Sequence, residues 1–259
     1  MRKMAEGRPA VPLTPGVEAD ILRYTDQAPG HPPGRTYTNG GKDMKRILCF
    51  GDSNTWGFNG AQGGLRFPEE VRWTGRLSRL MGEDVRIIEE GMNGRTLSSF
   101  DDMRPGAEAM EYLLPCLASH LPLDAVVFML GTNECKPRFG RTAAEITADM
   151  GGLVDRAIAY LARGLHGQRP DPVILLMAPK PLAERAAEDA AFDMGSVEMS
   201  RQLAEGYRAL AEERGLLFLD AGTAAEELGP DGCHLSENGH HTLAEAVAAL
   251  LGPALERQG

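Results

Sequence analysis

The chain has 259 residues, of which 42% are hydrophobic and 25% charged, as in an ordinary soluble protein. This length is enough to bury one sizeable core. Lys and Arg number 27 against 37 Asp and Glu, which gives a net charge of −10. This acidic balance argues against a nucleic-acid or anionic-membrane partner, because phosphate groups demand a basic surface.

Cysteine usage and hydropathy point to a soluble protein of a reducing compartment. No apolar stretch of signal-peptide type follows Arg2 and Lys3. No apolar run reaches the roughly 18 residues needed to span a bilayer. We therefore expect a cytoplasmic location without a membrane partner. A disulfide framework is not expected from four cysteines in so long a chain, and no cysteine metal site is expected because they form no CxxC pair (Cys49, Cys116, Cys135 and Cys233).

Residues 1–43 differ in composition from the rest of the chain. Prolines and glycines interrupt a polar stretch too often for a helix or strand core. The first periodic segment begins at Met44. We therefore predict a flexible N-terminal extension over residues 1–43 and one domain over residues 44–259.

From Met44 onwards, short apolar strands alternate with amphipathic helices. The predicted strands are Lys45–Gly51, Val85–Glu90, Asp124–Leu130, Val173–Ala178 and Leu216–Asp220. The predicted helices are Glu69–Met81, Ala107–His120, Ala143–Arg163, Asp193–Arg214 and Ser236–Leu251, the last with Ser236 as its N-cap. The basic residues of the first helix, Arg72, Arg76 and Arg79, have the spacing of a solvated helix face.

Continuous apolar strands separated by helices are typical of a parallel sheet covered on both faces. The pattern therefore predicts an α/β fold with three layers, α/β/α, around a five-stranded parallel sheet. In such sheets the functional site lies beyond the carboxyl ends of the strands. Polar residues that directly follow strands are therefore the candidates for chemistry.

Ser53 directly follows the first predicted strand, in the motif GDSN of residues 51–54. A serine hydroxyl is a poor nucleophile at neutral pH and needs an adjacent base to take its proton. The turn also places the Ser53 backbone N–H where it can donate to a developing oxyanion. An ordinary polar turn after a strand is the alternative interpretation of this motif alone.

Asp231 and His234 follow the last predicted strand and precede the last helix. A carboxylate three residues before an imidazole can hold its Nδ1–H, which presents Nε2 to a serine. The alternative is a helix-capping loop with an incidental histidine. His240 and His241 lie within the helical stretch without a partner at suitable spacing, so we expect no metal there.

Gly94 and Asn133 follow the second and third predicted strands. Glycine lacks a Cβ and can bring its N–H close to a ligand, and an asparagine amide can donate without adding charge. Either residue alone is better explained as part of a turn than as a donor to a ligand. Together with Ser53, Asp231 and His234, they predict one site at one edge of the sheet.

Two other enzyme classes lack their motifs in this chain. No GxGxxG follows the first strand and no GxxxxGK[ST] occurs, which argues against nucleotide binding. No GxSxG occurs, which argues against the α/β-hydrolase arrangement.

The ordered blocks GDSN, GMNG, GTNE and DGCH resemble those of the SGNH (GDSL) hydrolases. The resemblance covers about Met44 to Leu251 and implies the flavodoxin-like fold of that family. It implies a nucleophile at Ser53 and an Asp231–His234 pair completing the triad. It also implies an oxyanion hole from the backbone N–H groups of Ser53 and Gly94 and the Asn133 amide.

Longer segments, among them ILCFGDSNTWG and LPLDAVVFMLGTNE, are similar to the mycobacterial arylesterase/acyltransferase branch of the family. This implies action on short-chain acyl esters, with acyl transfer to water, alcohols or peroxide and without a metal or organic cofactor. It implies a homo-oligomer, an octamer in that branch. Four residues are then expected to line the substrate pocket: Trp56, Lys136, Phe192 and Cys233. Trp56 and Phe192 are equally explained as core aromatics.

The chain departs from the family pattern at two site positions, and from the mycobacterial branch at a third, where it keeps the residue of the broader family. Asn54 replaces the leucine of GDSL, Glu134 stands where aspartate is usual, and Gly94 replaces the alanine of the mycobacterial branch. A carbohydrate O-acetylesterase or a lysophospholipase on the same scaffold is the alternative enzyme, because fold does not fix substrate. A non-catalytic binding domain is the alternative from another class.

Overall fold

The structure is a computed structural model that describes residues 38–39 and 42–258. Its centre is a five-stranded sheet of β3 (Lys45–Gly51), β6 (Val85–Gly91), β7 (Ala125–Met129), β8 (Val173–Ala178) and β9 (Leu217–Asp220). The strands lie in the order β6-β3-β7-β8-β9, and all four pairings are parallel. The predicted α/β/α fold is thereby confirmed.

Successive residues of a strand point to opposite faces of the sheet, so the apolar strands place hydrophobic side chains on both faces. Helices cover each of these two faces. On β3, Leu48 and Phe50 pack against one set of helices, and Ile47 and Cys49 against the other. The first set is α3 (Ala109–His120), α4 (Ala143–Leu161) and α5 (Met194–Arg214), and the second is α2 (Trp73–Met81) and α7 (Glu237–Glu256).

Several helix boundaries follow from capping groups in the sequence. Thr142 and Glu145 form a reciprocal capping box at the start of α4. Gly215 ends α5 in the left-handed conformation. The predicted cap of the last helix is confirmed, because the Ser236 side chain accepts from the Gly239 N–H at 3.0 Å.

Short elements occupy the connections between the larger ones. They are the strand pair β1 (Thr38–Asn39) and β2 (Lys42–Asp43), the helix α1 (Ser53–Trp56), the strand pair β4 (Phe58–Asn59) and β5 (Leu65–Arg66), and the helix α6 (Ala221–Ala224). The strands β1 and β2 fall within the predicted extension of residues 1–43. The rest of that extension lies outside the described residues, so its boundary stays a prediction.

The prediction of a solvated basic face on α2 is wrong for Arg72. Arg72 is buried, and its Nε and Nη2 atoms donate to the two carboxylate oxygens of Glu89 at 2.9 and 2.7 Å. Its Nη1 donates to the Phe67 carbonyl at 2.9 Å. Helical spacing did not reveal this, because Glu89 comes from the neighbouring edge strand β6.

Among the described helices, none is long and apolar enough to cross a membrane.

Candidate active site

The five residues predicted from the sequence lie at one cleft beyond the carboxyl ends of the strands. Ser53 follows β3, Gly94 follows β6 and Asn133 follows β7, and these three strands are hydrogen-bonded neighbours. Asp231 and His234 lie in the loop between α6 and α7, after the last strand. The topology therefore brings together residues that are far apart in sequence.

A continuous chain of hydrogen bonds joins three of these side chains. The Ser53 Oγ and the His234 Nε2 are 2.9 Å apart, and the His234 Nδ1 and the Asp231 Oδ2 are 2.7 Å apart. With Nδ1 protonated and donating to the carboxylate, Nε2 is left to accept the proton of the serine. This arrangement can remove a proton from Ser53 and hold the resulting imidazolium beside a carboxylate.

The Asp231 carboxylate is held ionised by its surroundings. Burial alone would raise its pKa, but the hydrogen bonds from the His234 ring and from two backbone N–H groups outweigh burial. Those N–H groups belong to Cys233 and His234 and donate to Oδ1 at 3.0 Å each. The net result is a pKa lowered to about 2. Asp231 is thus a fixed negative partner for the imidazole at any neutral pH.

Three hydrogen-bond donors face the cleft beside Ser53. Within the described part of the chain, the backbone N–H groups of Ser53 and Gly94 donate to no protein acceptor. The Asn133 Nδ2 donates one hydrogen to the Arg95 carbonyl at 2.9 Å, which leaves its second N–H for the cleft. Three neutral donors at one position can bind a developing oxyanion.

Gly94 has a backbone conformation that favours glycine. Its φ is +78°, and a Cβ built there would lie 2.6 Å from the Arg104 Cδ. The Arg104 side chain therefore packs directly over the Gly94 backbone. The alanine found here in the mycobacterial branch would require the arginine to move.

Of the four predicted pocket residues, three line the cleft, whose volume is about 400 Å³: Lys136, Phe192 and Cys233. Trp56 is not among its lining residues, so the structure does not support that prediction. Trp56 ends α1, and the Arg66 guanidinium lies 5.2 Å from its ring centroid.

Sequence reasoning missed two residues that hold His234 in place. The Phe58 ring stacks on the imidazole with 4.1 Å between centroids. The Asn54 side chain accepts from the Leu235 N–H at 2.8 Å and donates to the Cys233 carbonyl at 3.4 Å. Asn54 therefore binds the backbone on both sides of His234. Its place directly after Ser53 is the only sequence signal, because the contacts join segments that are 179 and 181 residues apart in the sequence.

Glu134 fixes the loop that carries Asn133. Its carboxylate is fully buried and accepts from the Leu97 backbone N–H, in the segment that follows Gly94. Burial is the main reason that its pKa is raised to about 7. The same carboxylate thus connects the two loops whose N–H groups face the cleft.

One trio of side chains in the described chain has a composition that suits a metal ion. The ligand atoms of Glu90, Cys116 and His120 lie within 4.8 Å of one another, where β6 meets α3. Two members are already paired, with 2.8 Å between the Glu90 Oε1 and the His120 Nε2. None of the three lines the cleft, so the site chemistry does not involve them.

Residues 49–242 match the GDSL-like lipase/acylhydrolase family. This match spans most of the chain and contains Ser53, Gly94, Asn133, Asp231 and His234. The chain belongs to this family. The resemblance noted from its sequence blocks is thereby confirmed.

Two solved structures and one curated protein are similar to this chain. A carbohydrate acetylesterase from Sinorhizobium meliloti is 39% identical, covering 82% of this chain and 100% of its own, with a TM-score of 0.76. An aryl esterase of M. smegmatis is 38% identical, covering 81% and 99%, with a TM-score of 0.75. An acetylxylan esterase of Xylanibacter ruminicola is 24% identical over 221 residues. That alignment covers 81% of this chain but only 44% of the longer relative.

Proposed function

We propose that the protein is a serine esterase that cleaves short-chain acyl esters through an acyl-enzyme. The observation that carries the proposal is the hydrogen-bond chain from Ser53 through His234 to Asp231. A cleft of about 400 Å³ suits a small acyl group and alcohol better than a long lipid chain.

In the proposed reaction, the Ser53 Oγ attacks the ester carbonyl while the His234 Nε2 takes its proton. The carbonyl oxygen becomes an oxyanion, which accepts from the backbone N–H groups of Ser53 and Gly94 and from the Asn133 amide. One such donor is worth on the order of 3 kcal/mol in comparable sites. His234 then protonates the leaving alcohol, and the acyl group stays on Ser53.

Release of the acyl group repeats these steps with a new acceptor. His234 takes a proton from water, an alcohol or peroxide, and that acceptor attacks the acyl-enzyme. Hydrolysis and acyl transfer therefore differ only in which acceptor reaches the ester. The Phe58 and Phe192 rings give the cleft apolar surface, which favours an organic alcohol over water. This supports a transferase capacity beside the esterase activity.

Carbohydrate O-acetyl esters are the second candidate substrates. The similarity to a carbohydrate acetylesterase and to an acetylxylan esterase supports sugar esters as substrates. The similarity to an aryl esterase supports aryl esters equally well. Initial rates on acetylated xylo-oligosaccharides and on phenyl acetate distinguish the two. A kcat/KM for the sugar ester at least about tenfold higher than for phenyl acetate would assign the chain to sugar deacetylation.

Replacing the nucleophile tests the proposal most directly. Ser53→Ala should lower the rate of p-nitrophenyl acetate hydrolysis by at least about a thousandfold, because among the residues that the structure describes no other hydroxyl is hydrogen-bonded to His234. A fluorophosphonate probe should label the parent and not the variant. Ser119→Ala is the control, since its hydroxyl binds the Pro115 carbonyl on α3. Activity of Ser53→Ala within about tenfold of the parent would overturn the assignment.

The transferase capacity has its own measurement. With benzyl alcohol and an acetyl ester in water, the parent should form benzyl acetate at a rate proportional to enzyme concentration. Ser53→Ala should form none. Release of acetate without any benzyl acetate would leave the esterase and exclude the transferase.

A further inference from the structure

Lys136 is a buried lysine in the wall of the cleft, and its Nζ points at Asn133 rather than at solvent. Only 8% of the residue is exposed, and its Nζ donates to the Asn133 Oδ1 at 2.7 Å. The short helical turn Asn133–Cys135 brings the two residues together, with the Lys136 N–H donating to the Asn133 carbonyl at 3.3 Å.

The orientation of the Asn133 amide follows from its two partners. A lysine can only donate and a backbone carbonyl can only accept, so Oδ1 must face Lys136 and Nδ2 must face the Arg95 carbonyl. Turning the amide over would place two donors together and two acceptors together. One N–H is left for the cleft, and its direction is fixed from both ends.

The charge of Lys136 also acts on the strength of that N–H. A cation at the oxygen of an amide draws electron density from the nitrogen, which makes the N–H a stronger donor. Hydrogen bonds with an ionised partner are roughly twice as strong as neutral ones, and chains of them reinforce one another in a low-dielectric interior. Asn133 thus passes the effect of a buried cation to the cleft without placing that cation against the substrate.

We propose that Lys136 is a positioning residue for the oxyanion hole, which orients Asn133 and polarises its amide so that the free N–H binds the transition-state oxyanion more strongly. This inference rests on the proposed esterase function. It differs from the pocket-lining role that the family resemblance implies for Lys136, because a residue that only contacts substrate would change KM. The proposed role changes kcat.

The surroundings of Lys136 affect how readily it keeps its proton. Burial is the main cause that lowers its pKa, and two nearby guanidinium groups add to it. The Phe192 ring centroid lies 5.6 Å from the Nζ. The charged or titratable groups that act on Lys136 are Arg104, Arg138, Asp52, Asp101 and Cys233.

Three substitutions separate orientation from charge. Lys136→Gln offers a neutral donor to the Asn133 Oδ1, Lys136→Met offers none, and Lys136→Arg keeps both donor and charge. We expect kcat for p-nitrophenyl acetate to fall at least about tenfold in Lys136→Gln and further in Lys136→Met, with KM within about twofold of the parent. Lys136→Arg should recover most of the loss.

Two further measurements report on the oxyanion itself. The affinity for a trifluoromethyl ketone, which forms an oxyanion on Ser53, should fall by the same factor as kcat/KM in each variant. The parent should lose kcat on the alkaline side as Lys136 loses its proton, whereas Lys136→Arg should keep it to higher pH. Lys180→Gln is the matched control, because that lysine donates to the Gly222 and Ala225 carbonyls outside the cleft.

The outcomes distinguish this inference from the proposed function. A parent without esterase activity, or without labelling by fluorophosphonate, would overturn the function. An active parent with parental kcat in Lys136→Gln would overturn the role of the charge. A loss carried by KM with unchanged ketone affinity would show that Lys136 binds substrate directly, which also overturns the inference.

Discussion

At the scale of single residues, Glu134 shows how the site depends on a carboxyl group that water does not reach. Its side chain connects the Asn133 loop to the Leu97 backbone, and its second oxygen, Oε2, is buried without a hydrogen-bond partner in the described part of the chain. A buried carboxyl group with one unpaired oxygen favours its protonated form, which is why its pKa is raised to about 7.

Glu134 should make the protein less stable as pH rises through neutrality. The folded state keeps a proton that the unfolded chain releases above about pH 4.5, so this contribution is full at acid pH and lost through about pH 7. Relative to the parent, Glu134→Gln should therefore gain on the order of 3 kcal/mol in free energy of unfolding between about pH 4.5 and about pH 8.

The measurement is urea unfolding of parent and variant at both pH values. Glu198→Gln is the matched control, because that side chain is 65% exposed on α5. The same pH dependence in Glu134→Gln and in the parent would contradict the assignment.

At the scale of elements, α2 and α7 meet at a buried histidine. The His240 Nδ1 accepts from the Trp73 N–H at 3.2 Å, and no part of the residue is exposed. Burial, followed by the nearby charges of Arg76 and Arg72, lowers its pKa to about 3. The ring is neutral in the fold and is part of the contact between the two helices.

Acid should loosen this contact. In the unfolded chain, His240 is protonated below about pH 6.5, whereas in the folded chain it is protonated only below about pH 3. Stability from this group is therefore present above about pH 6.5, and falls by about 1.4 kcal/mol per pH unit below it. His240→Asn keeps an acceptor and should be less stable than the parent at neutral pH, with the gap shrinking on acidification.

Urea unfolding from about pH 7 to about pH 4 checks this expectation. His241→Asn is the control on the same helix, since that side chain is 47% exposed. A constant difference between His240→Asn and the parent across this range would show that His240 is not the titrating group.

The sequence predicts an element of this fold well where its hydrophobic pattern extends over many residues, and poorly where the element is only a few residues long. Each of the five core strands is predicted to within a residue, and the last helix begins at the predicted cap, Ser236. The last helix runs further than predicted, to Glu256, because Pro253 does not end it. The two-residue strands β4 and β5 were missed, because two residues show no period.

The site was predicted where residues directly follow strands and missed where side chains bridge loops. Ser53, Gly94, Asn133, Asp231 and His234 share the cleft as expected. The contacts of Asn54 in α1 and Phe58 in β4 with the His234 loop join segments from opposite ends of the domain sequence, which no local pattern specifies.

At the scale of the whole molecule, every group in the proposed mechanism comes from one chain. The homo-oligomer implied by the family resemblance stays a proposal. The large exposed side chains of Phe100 and Met103, at 67% and 74%, lie in the connection between β6 and α3. Both follow the Gly94 loop in sequence.

The reacting pair spans almost the whole domain, since 181 residues separate Ser53 from His234. During synthesis the amino-terminal part of a domain leaves the ribosome first. In the proposed mechanism the nucleophile Ser53 therefore emerges long before its base, and the serine stays inert until the segment after β9 has also emerged. On this proposal, turnover requires that the chain has folded through β9 and the His234 loop, so it can serve as a readout of domain folding in a translation reaction.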